Sequence, residues 1–168
     1  MKSISILGAT GSIGQNTVDL IARDPEDFEV IALTGGRNVA RLAEDAKRLN
    51  AQLAVTAHDD CLDDLRAALS GTGIDVAAGR AALLEAAERP SDWVMSGIVG
   101  SAGLEPGLRA LRNGNTLALA NKESLVCAGA LLLSEGQRHG ATILPVDSEH
   151  SAIFQCLIGE DIAAVERI

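Results

Sequence analysis

The stretch Ile4-Ser-Ile-Leu-Gly-Ala-Thr-Gly-Ser-Ile-Gly14 predicts the fold of this chain. Its apolar start is typical of a buried strand, glycines follow at positions 8, 11 and 14, and a helical pattern then places Val18, Ile21 and Ala22 on one face. In such a unit the first glycine permits a tight turn, the second lets backbone N–H groups approach a phosphate, and the third lets the helix pack closely on the strand. The helix N-terminus adds unpaired N–H groups and a partial positive charge. The spacing G-x-x-G-x-x-G is only moderately specific, so a glycine turn without a ligand is the alternative.

Length and composition indicate one globular domain without nucleic-acid or membrane partners. The chain has 168 residues, 47% hydrophobic and 22% charged, which suffices for one domain with a proper core. Two Phe, one Trp and no Tyr leave that core to Ala, Val, Ile and Leu, as in a parallel sheet covered by helices. The net charge of −9 disfavours nucleic acid and anionic membranes. Any phosphate must therefore be held by local donors.

The three cysteines, Cys61, Cys127 and Cys156, are odd in number and widely spaced. They fit neither a disulfide framework nor a C-x-x-C metal site. We expect each to be a small buried side chain in a reducing, cytoplasmic environment. We also expect no signal peptide and no membrane helix, because the apolar runs fall short of the roughly 18 residues that a membrane helix needs.

Strand and helix signals alternate along the whole chain. Seven strands are predicted, and the last residues, Ala163–Ile168, are predicted to begin an eighth. Repeated β-α units imply parallel strands joined by right-handed crossovers. We therefore predict an α/β fold: a Rossmann-like, doubly wound, mostly parallel sheet with helices on both faces. Because the last strand ends unfinished, we expect the chain to be part of a longer protein.

Polar clusters follow several predicted strands, at the edge where such sheets bind ligands. Thr10 and Ser12 add hydroxyl donors to the glycine turn. After the second strand, the segment from Thr34 to Asn38 has no carboxylate where NAD-binding folds place one for the ribose 2′-hydroxyl. Arg37 in this segment can bond a 2′-phosphate bidentately. The sequence thus favours NADP over NAD, with a solvated arginine as the alternative.

Two further clusters follow the sixth and seventh predicted strands. In Asn121-Lys-Glu-Ser124 the lysine can hold or polarise a substrate oxygen, although the segment also suits an ordinary first helical turn. In Asp147-Ser-Glu-His150 two carboxylates suit Mg²⁺ or Mn²⁺, with a third ligand expected elsewhere. A helix cap by Asp147 or Ser148 is the structural alternative. His150 is expected to pack or orient rather than to bind the metal.

Together these stretches resemble the 1-deoxy-D-xylulose 5-phosphate reductoisomerase family of the non-mevalonate isoprenoid pathway. The resemblance implies an enzyme that uses NADPH and Mg²⁺ or Mn²⁺. It would rearrange a phosphosugar, 1-deoxy-D-xylulose 5-phosphate, and reduce the branched aldehyde to 2-C-methyl-D-erythritol 4-phosphate. It also implies a homodimer for the full-length protein. The matching stretches follow the family's order: Ile6–Gly14, Ala32–Val39, Gly97–Leu104, Leu119–Leu125 and Leu144–His150.

Residue roles follow from the resemblance, position by position. The cofactor pyrophosphate would be bound by Thr10, Gly11, Ser12 and Ile13. Its 2′-phosphate would be bound by Gly36, Arg37 and Asn38. Asn121 and Glu123 would lie near its nicotinamide ribose. The substrate would be bound by Lys122, Ser148 and Glu149. Of these, Lys122 and Glu149 would be catalytic, and Asp147 and Glu149 would hold the metal.

The resemblance also divides the chain into residues 1–147, an NADPH-binding Rossmann domain, and residues 148–168, the start of a truncated catalytic domain. Family members run to more than twice this length. The third metal carboxylate, a mobile active-site loop, the substrate-phosphate ligands and a C-terminal helical domain would therefore lie outside the chain. We expect the chain to bind NADPH with negligible turnover.

Three other classes are weighed against this interpretation. A short-chain reductase needs a catalytic Tyr, and the chain has none. A semialdehyde dehydrogenase needs a nucleophilic Cys at the sheet edge, where only Cys127 comes close in sequence. An NADP-binding sensor or assembly module without catalysis would bind cofactor but lack the cation site at Asp147 and Glu149.

Overall fold

The computed structural model describes residues 1–165, which form a seven-stranded parallel sheet covered by helices. The strands are β1 (Lys2–Leu7), β2 (Phe28–Gly35), β3 (Leu53–Thr56), β4 (Asp75–Ala78), β5 (Trp93–Ser96), β6 (Thr116–Leu119) and β7 (Thr142–Pro145). The helices are α1 (Ser12–Arg23), α2 (Val39–Arg48), α3 (Leu62–Ala68), α4 (Gly79–Glu88), α5 (Leu104–Leu111), α6 (Lys122–His139) and α7 (Ser148–Leu157). The predicted fold class is confirmed.

The strand order β4-β3-β2-β1-β5-β6-β7 puts β1 in the middle of the sheet. The chain builds outward from β1 to β4, then returns to pair β5 with the other side of β1. Strand order reverses at this point, and the connections leave a crevice beyond the carboxyl ends of the strands, where α/β sheets bind ligands. We call this side of the sheet the carboxyl edge.

Each face of the sheet packs against its own set of helices. Along β3 the side chain of Ala54 belongs to a core with α1, α2 and α3, whereas Leu53 and Val55 face α4. Leu7 at the end of β1 joins a third cluster with α5 and α6. Alternate residues of a strand point to opposite faces, so strands buried on both sides are apolar throughout. This explains the run of Ala, Val, Ile and Leu in the sequence.

Two sequence-based expectations are wrong. Residues Ile162–Ala164 form a 3-10 turn rather than the start of an eighth strand, and residues 166–168 of that prediction lie outside the described residues. Cys61 is buried as expected, but Cys127 and Cys156 are exposed on α6 and α7. Among the described helices, none has the length and apolarity to cross a bilayer.

Candidate functional site

The glycine turn that follows β1 contacts the carboxyl ends of both neighbouring strands, β2 and β5. Gly8 has a φ of +85°, and a Cβ there would come within 2.9 Å of the backbone of Gly97. The Gly8 N–H donates to Thr34 Oγ1 at 3.0 Å, and the Ala9 N–H donates to the Thr34 carbonyl at 2.7 Å. Only glycine fits this left-handed conformation and close approach together. The turn is therefore fixed against both β2 and β5.

Helix α1 begins without a cap. Its N-cap residue is Gly11, no side chain caps it by a hydrogen bond, and the first turn holds no acidic residue. Side chains cap α2, α6 and α7, namely those of Asn38, Asn121 and Asp147, whereas α3, α4 and α5 share the uncapped start of α1. An uncapped helix start leaves N–H donors and the positive end of the helix dipole free for an anion. The glycine spacing predicts such a helix start, and its binding of a phosphate stays a prediction.

Gln15 braces the turn from within α1, and sequence analysis missed it. Its Nε2 donates to the Ala9 carbonyl at 2.9 Å and to Asp45 Oδ2 at 2.6 Å. Asp45 is fully buried on α2. The side chains of α1 and α2 thus hold the glycine turn in place. A glutamine one position after Gly14 carries no local signal for this role.

A cavity of about 390 Å³ opens at the carboxyl edge, beyond the ends of β1, β2, β3 and β5. We call it the edge cavity. Glycines from the turn and from the end of β2 form its floor, and the apolar side chains of Leu83 and Leu84 on α4 form a wall. Of the residues predicted to bind cofactor, Gly11 and Gly36 line it directly, and Thr10 packs on Gly35.

Arg37 is exposed beside the edge cavity and forms an ion pair that the sequence did not indicate. Its Nη1 lies 2.7 Å from Asp60 Oδ2, in the 3-10 turn after β3. This hydrogen bond raises the pKa of Arg37 and lowers the pKa of Asp60. Asn38, the next residue after Arg37, accepts a hydrogen bond from the Arg41 N–H at 3.2 Å and so caps α2.

Asn121 is buried, with 3% of its surface exposed, and clamps the loop after β5. Its Nδ2 donates to the carbonyls of Ile98 and Gly100, both at 2.7 Å, and its Oδ1 accepts from the Ser124 N–H at 3.2 Å. A Cβ on Gly103 would lie 2.6 Å from Nδ2. Both amide donors are committed to a loop that lines the edge cavity. The predicted ribose contact of Asn121 stays a prediction, as does that of Glu123, which is exposed in the first turn of α6.

Lys122, Ser148 and Glu149 come together where β6 and β7 end. Lys122 Nζ lies 3.2 Å from Glu149 Oε1, and Ser148 Oγ donates to Glu149 Oε2 at 2.9 Å. The backbone N–H of Glu149, followed by Ser148 and Lys122, bonds this carboxylate and lowers its pKa to about 2. Glu149 in turn raises the pKa of Lys122. Three predicted substrate-binding residues are thus neighbours, although 26 positions separate Lys122 from Ser148.

Asp147 caps α7 and still keeps one oxygen unpaired. Oδ1 accepts from the N–H of His150 at 3.0 Å and lies 2.7 Å from its ring Nδ1. Oδ2 is buried without a hydrogen-bond partner. A buried carboxylate oxygen without a partner is costly unless a donor or cation joins it. The cap predicted as the alternative is present, and the second oxygen fits a metal. No set of three acidic, His or Cys side chains suited to a metal occurs in residues 1–165.

A parallel doubly wound sheet with an uncapped, glycine-led first helix and a cavity at its switch point is the architecture typical of dinucleotide-binding α/β domains. A family model described as 1-deoxy-D-xylulose 5-phosphate reductoisomerase matches residues 4–129. The protein of that name from Jannaschia sp. (strain CCS1) is 72% identical over 167 residues, which make up 99% of this chain and 42% of that protein. The chain belongs to the 1-deoxy-D-xylulose 5-phosphate reductoisomerase family.

Solved structures agree with this assignment. The reductoisomerase from Zymomonas mobilis in complex with NADPH is 54% identical, with a TM-score of 0.91 over 92% of this chain and 41% of that one. A DOX-P reductoisomerase in complex with NADPH, fosmidomycin and magnesium is 41% identical, with a TM-score of 0.88 over 93% of this chain and 39% of that one. The chain therefore spans about two fifths of the length of the relatives it matches.

Proposed function

We propose that this chain is the cofactor-binding part of a reductoisomerase that depends on NADPH and a divalent metal. The reaction would convert 1-deoxy-D-xylulose 5-phosphate to 2-C-methyl-D-erythritol 4-phosphate. The observation that carries the proposal is a shared edge: the uncapped start of α1 and the Asp147–Glu149 carboxylates both follow carboxyl ends of strands in one sheet. Three strand spacings, about 14 Å, separate the ends of β1 and β7. The anion site at the start of α1 and the cation site at Asp147 and Glu149 would therefore lie close enough to act on one cofactor and one substrate.

The cofactor fits the residues that are present. The N–H groups at the start of α1, with Thr10, Gly11, Ser12 and Ile13, would hold the pyrophosphate of NADPH. Gly36, Arg37 and Asn38 would meet the 2′-phosphate, because the glycine leaves room and Arg37 supplies charge. NADPH is the cofactor named with the Zymomonas mobilis relative. We assign this task to residues 1–147 and regard residues 148–168 as the start of the catalytic domain.

The metal also fits. The unpaired Asp147 Oδ2 and the carboxylate of Glu149 would hold Mg²⁺ or Mn²⁺, and magnesium is named with three solved reductoisomerases. When bound, such an ion acts as a Lewis acid on substrate oxygens. Lys122 and Ser148 would orient the phosphosugar against the nicotinamide, which is a positioning task. A third carboxylate and the substrate-phosphate ligands would come from the rest of the protein, so turnover by this chain alone would be negligible.

A sensor or assembly module that binds NADP without catalysis is disfavoured. Such a module needs neither a buried unpaired carboxylate oxygen nor a lysine held against a second carboxylate. We further propose that the full-length protein is a homodimer in the cytoplasm. The odd number of cysteines, two of them exposed, supports a reducing compartment.

The 2′-phosphate assignment predicts selective loss of NADPH affinity in R37Q. Removing a charge-assisted contact should weaken NADPH about tenfold and leave NADH within about twofold, because NADH lacks the 2′-phosphate. Calorimetric titration of each variant with both cofactors measures this. Arg23→Gln is the matched control, since Arg23 is also exposed and ion-paired but lies at the far end of α1. Equal affinity of the unaltered chain for NADPH and NADH would contradict the assignment.

The metal assignment predicts weaker Mn²⁺ binding in D147N. Asparagine caps a helix as well as aspartate does, so this change keeps α7 and removes one charged ligand. We expect Mn²⁺ affinity, followed by electron paramagnetic resonance on the chain with NADPH, to fall at least about tenfold. The thermal midpoint should stay within about 2 °C. Asp75→Asn, on the opposite edge strand β4, is the control. Unchanged Mn²⁺ affinity in D147N would remove Asp147 as a ligand.

A further inference from the structure

Arg80 is the one charged residue among those described as lining the edge cavity. The rest of the lining is glycine backbone, threonine and apolar side chains. The protein carries a net charge of −9, so a phosphate in this cavity must be held by local donors, and Arg80 is the cation among the described lining residues. Neither the glycine motif nor the resemblance to a family assigns a role to Arg80. Because Arg80 lies on the wall of a site proposed for a phosphate-bearing ligand, a contact with that ligand is the role to test.

The side chain of Arg80 is held at the cavity by one exposed partner. Arg80 lies in the first turn of α4, directly after Gly79, and pairs with Glu105 on α5. Its side chain is 77% exposed, and Glu105 has a second cation, Arg109, with which it can pair. The N-terminus of α4 is not the attraction for a ligand, because the carboxylate of Asp59 already lies against Gly79. The candidate contact is the guanidinium itself.

Arg37 and Arg80 stand in different relations to the edge cavity. Arg37 does not line the cavity, and its Nη1 is bonded to Asp60. Arg80 lines it together with Gly11 of the turn and with Gly36, which directly follows β2. A ligand that is anchored at the glycine turn and fills the edge cavity would therefore meet the wall that carries Arg80.

We infer that Arg80 is a further cofactor-binding residue, whose guanidinium bonds a phosphate group of the dinucleotide in the edge cavity while Glu105 holds it when the cofactor is absent. The inference rests on the proposed function. An exposed ion pair contributes little, whereas a planar guanidinium matches a phosphate bidentately and binds it more strongly. Exchange of Glu105 for phosphate is therefore favourable, and Arg109 can keep Glu105 paired. The phosphate is either the pyrophosphate or the 2′-phosphate.

Calorimetric titration of the chain with NADPH and with NADH tests this on four variants. R80Q should weaken binding about tenfold, and R80K should recover part of the loss. E105Q should bind as tightly as the unaltered chain or more tightly, because it releases Arg80. Arg89→Gln removes the same charge from the other end of α4, where Arg89 pairs with Glu85, and should change little. Thermal midpoints establish that each variant is folded.

The cofactor whose affinity falls identifies the phosphate group that Arg80 contacts. Weaker binding of both cofactors to R80Q supports contact with the pyrophosphate, and weaker binding of NADPH alone supports contact with the 2′-phosphate. Affinities of R80Q equal to those of Arg89→Gln would overturn the inference. So would an equal loss in E105Q, which would assign the effect to the ion pair between α4 and α5. No binding of either cofactor by the unaltered chain would overturn the proposed function together with the inference.

Discussion

Replacing Gly14 by alanine is expected to lower the free energy of unfolding by about 3 kcal/mol, because the new methyl group would overpack rigid backbone. An added Cβ would lie 2.5 Å from the carbonyl oxygen of Ala9 and closer still to that of Gly8. Neither can retreat, since both belong to the turn that is fixed against Thr34 and Gly97. Alanine favours a helix over glycine by only about 1 kcal/mol, which does not offset the clash. Urea unfolding followed by circular dichroism measures the change.

Gly11→Ala separates the packing effect from the ligand effect. The nearest atom to a Cβ on Gly11 is the Gly8 carbonyl oxygen at 3.4 Å, an ordinary contact. We expect its stability to stay within about 0.5 kcal/mol of the unaltered chain. Because Gly11 lines the edge cavity, NADPH affinity should still fall. Equal stability of the two alanine variants would mean that α1 does not approach the turn as closely as described.

Asn121→Asp is expected to destabilise the chain by about 3 kcal/mol or more, since it sets a buried carboxylate against carbonyl groups without a donor. Both donors of the amide, to Ile98 and Gly100, would be lost and replaced by repulsion. The cap on α6 through Ser124 would survive, because aspartate also accepts that bond. The loop after β5 should therefore loosen more than the helix does. Hydrogen exchange of the amides of residues 97–103, together with urea unfolding, measures both effects.

Asn113→Asp is the matched control for that change. Asn113 Nδ2 also donates to a backbone carbonyl, that of Glu88, at 2.7 Å, but this bond lies at the surface. Water can replace an exposed donor, so we expect a loss below about 1 kcal/mol. If Asn121→Asp cost no more than this control, the clamp would not organise the loop. NADPH affinity should fall only in the Asn121 variant, because only its loop lines the edge cavity.

Local patterns in the sequence were enough to predict most of the fold. The glycine spacing predicted the β1–α1 turn, and the seven strands predicted from the alternating signals are present. The eighth strand failed because apolar residues in a short stretch do not distinguish a strand from a 3-10 turn. Short signals at chain ends lack the flanking pattern that decides between the two.

Candidate site residues also differ in whether a local pattern in the sequence points to them. Residues within motifs, such as Gly11 and Glu149, could be proposed as site residues because the motif itself is a local signal in the sequence. Asp60, Gln15 and Arg80 were missed because their partners lie 23, 30 and 25 positions away. Pairings over such separations are set by the packing of helices on the sheet, and a single sequence holds no local record of them.

The bare start of α1 has a consequence for how the protein responds to its ligand. A side-chain cap would contribute about 1 kcal/mol, and α1, like α3, α4 and α5, has none. A phosphate seated there would serve as the missing cap. Phosphate binding at this position would then stiffen the centre of the sheet first. Protection of backbone amides from hydrogen exchange would spread outward from β1 rather than inward from the edge strands.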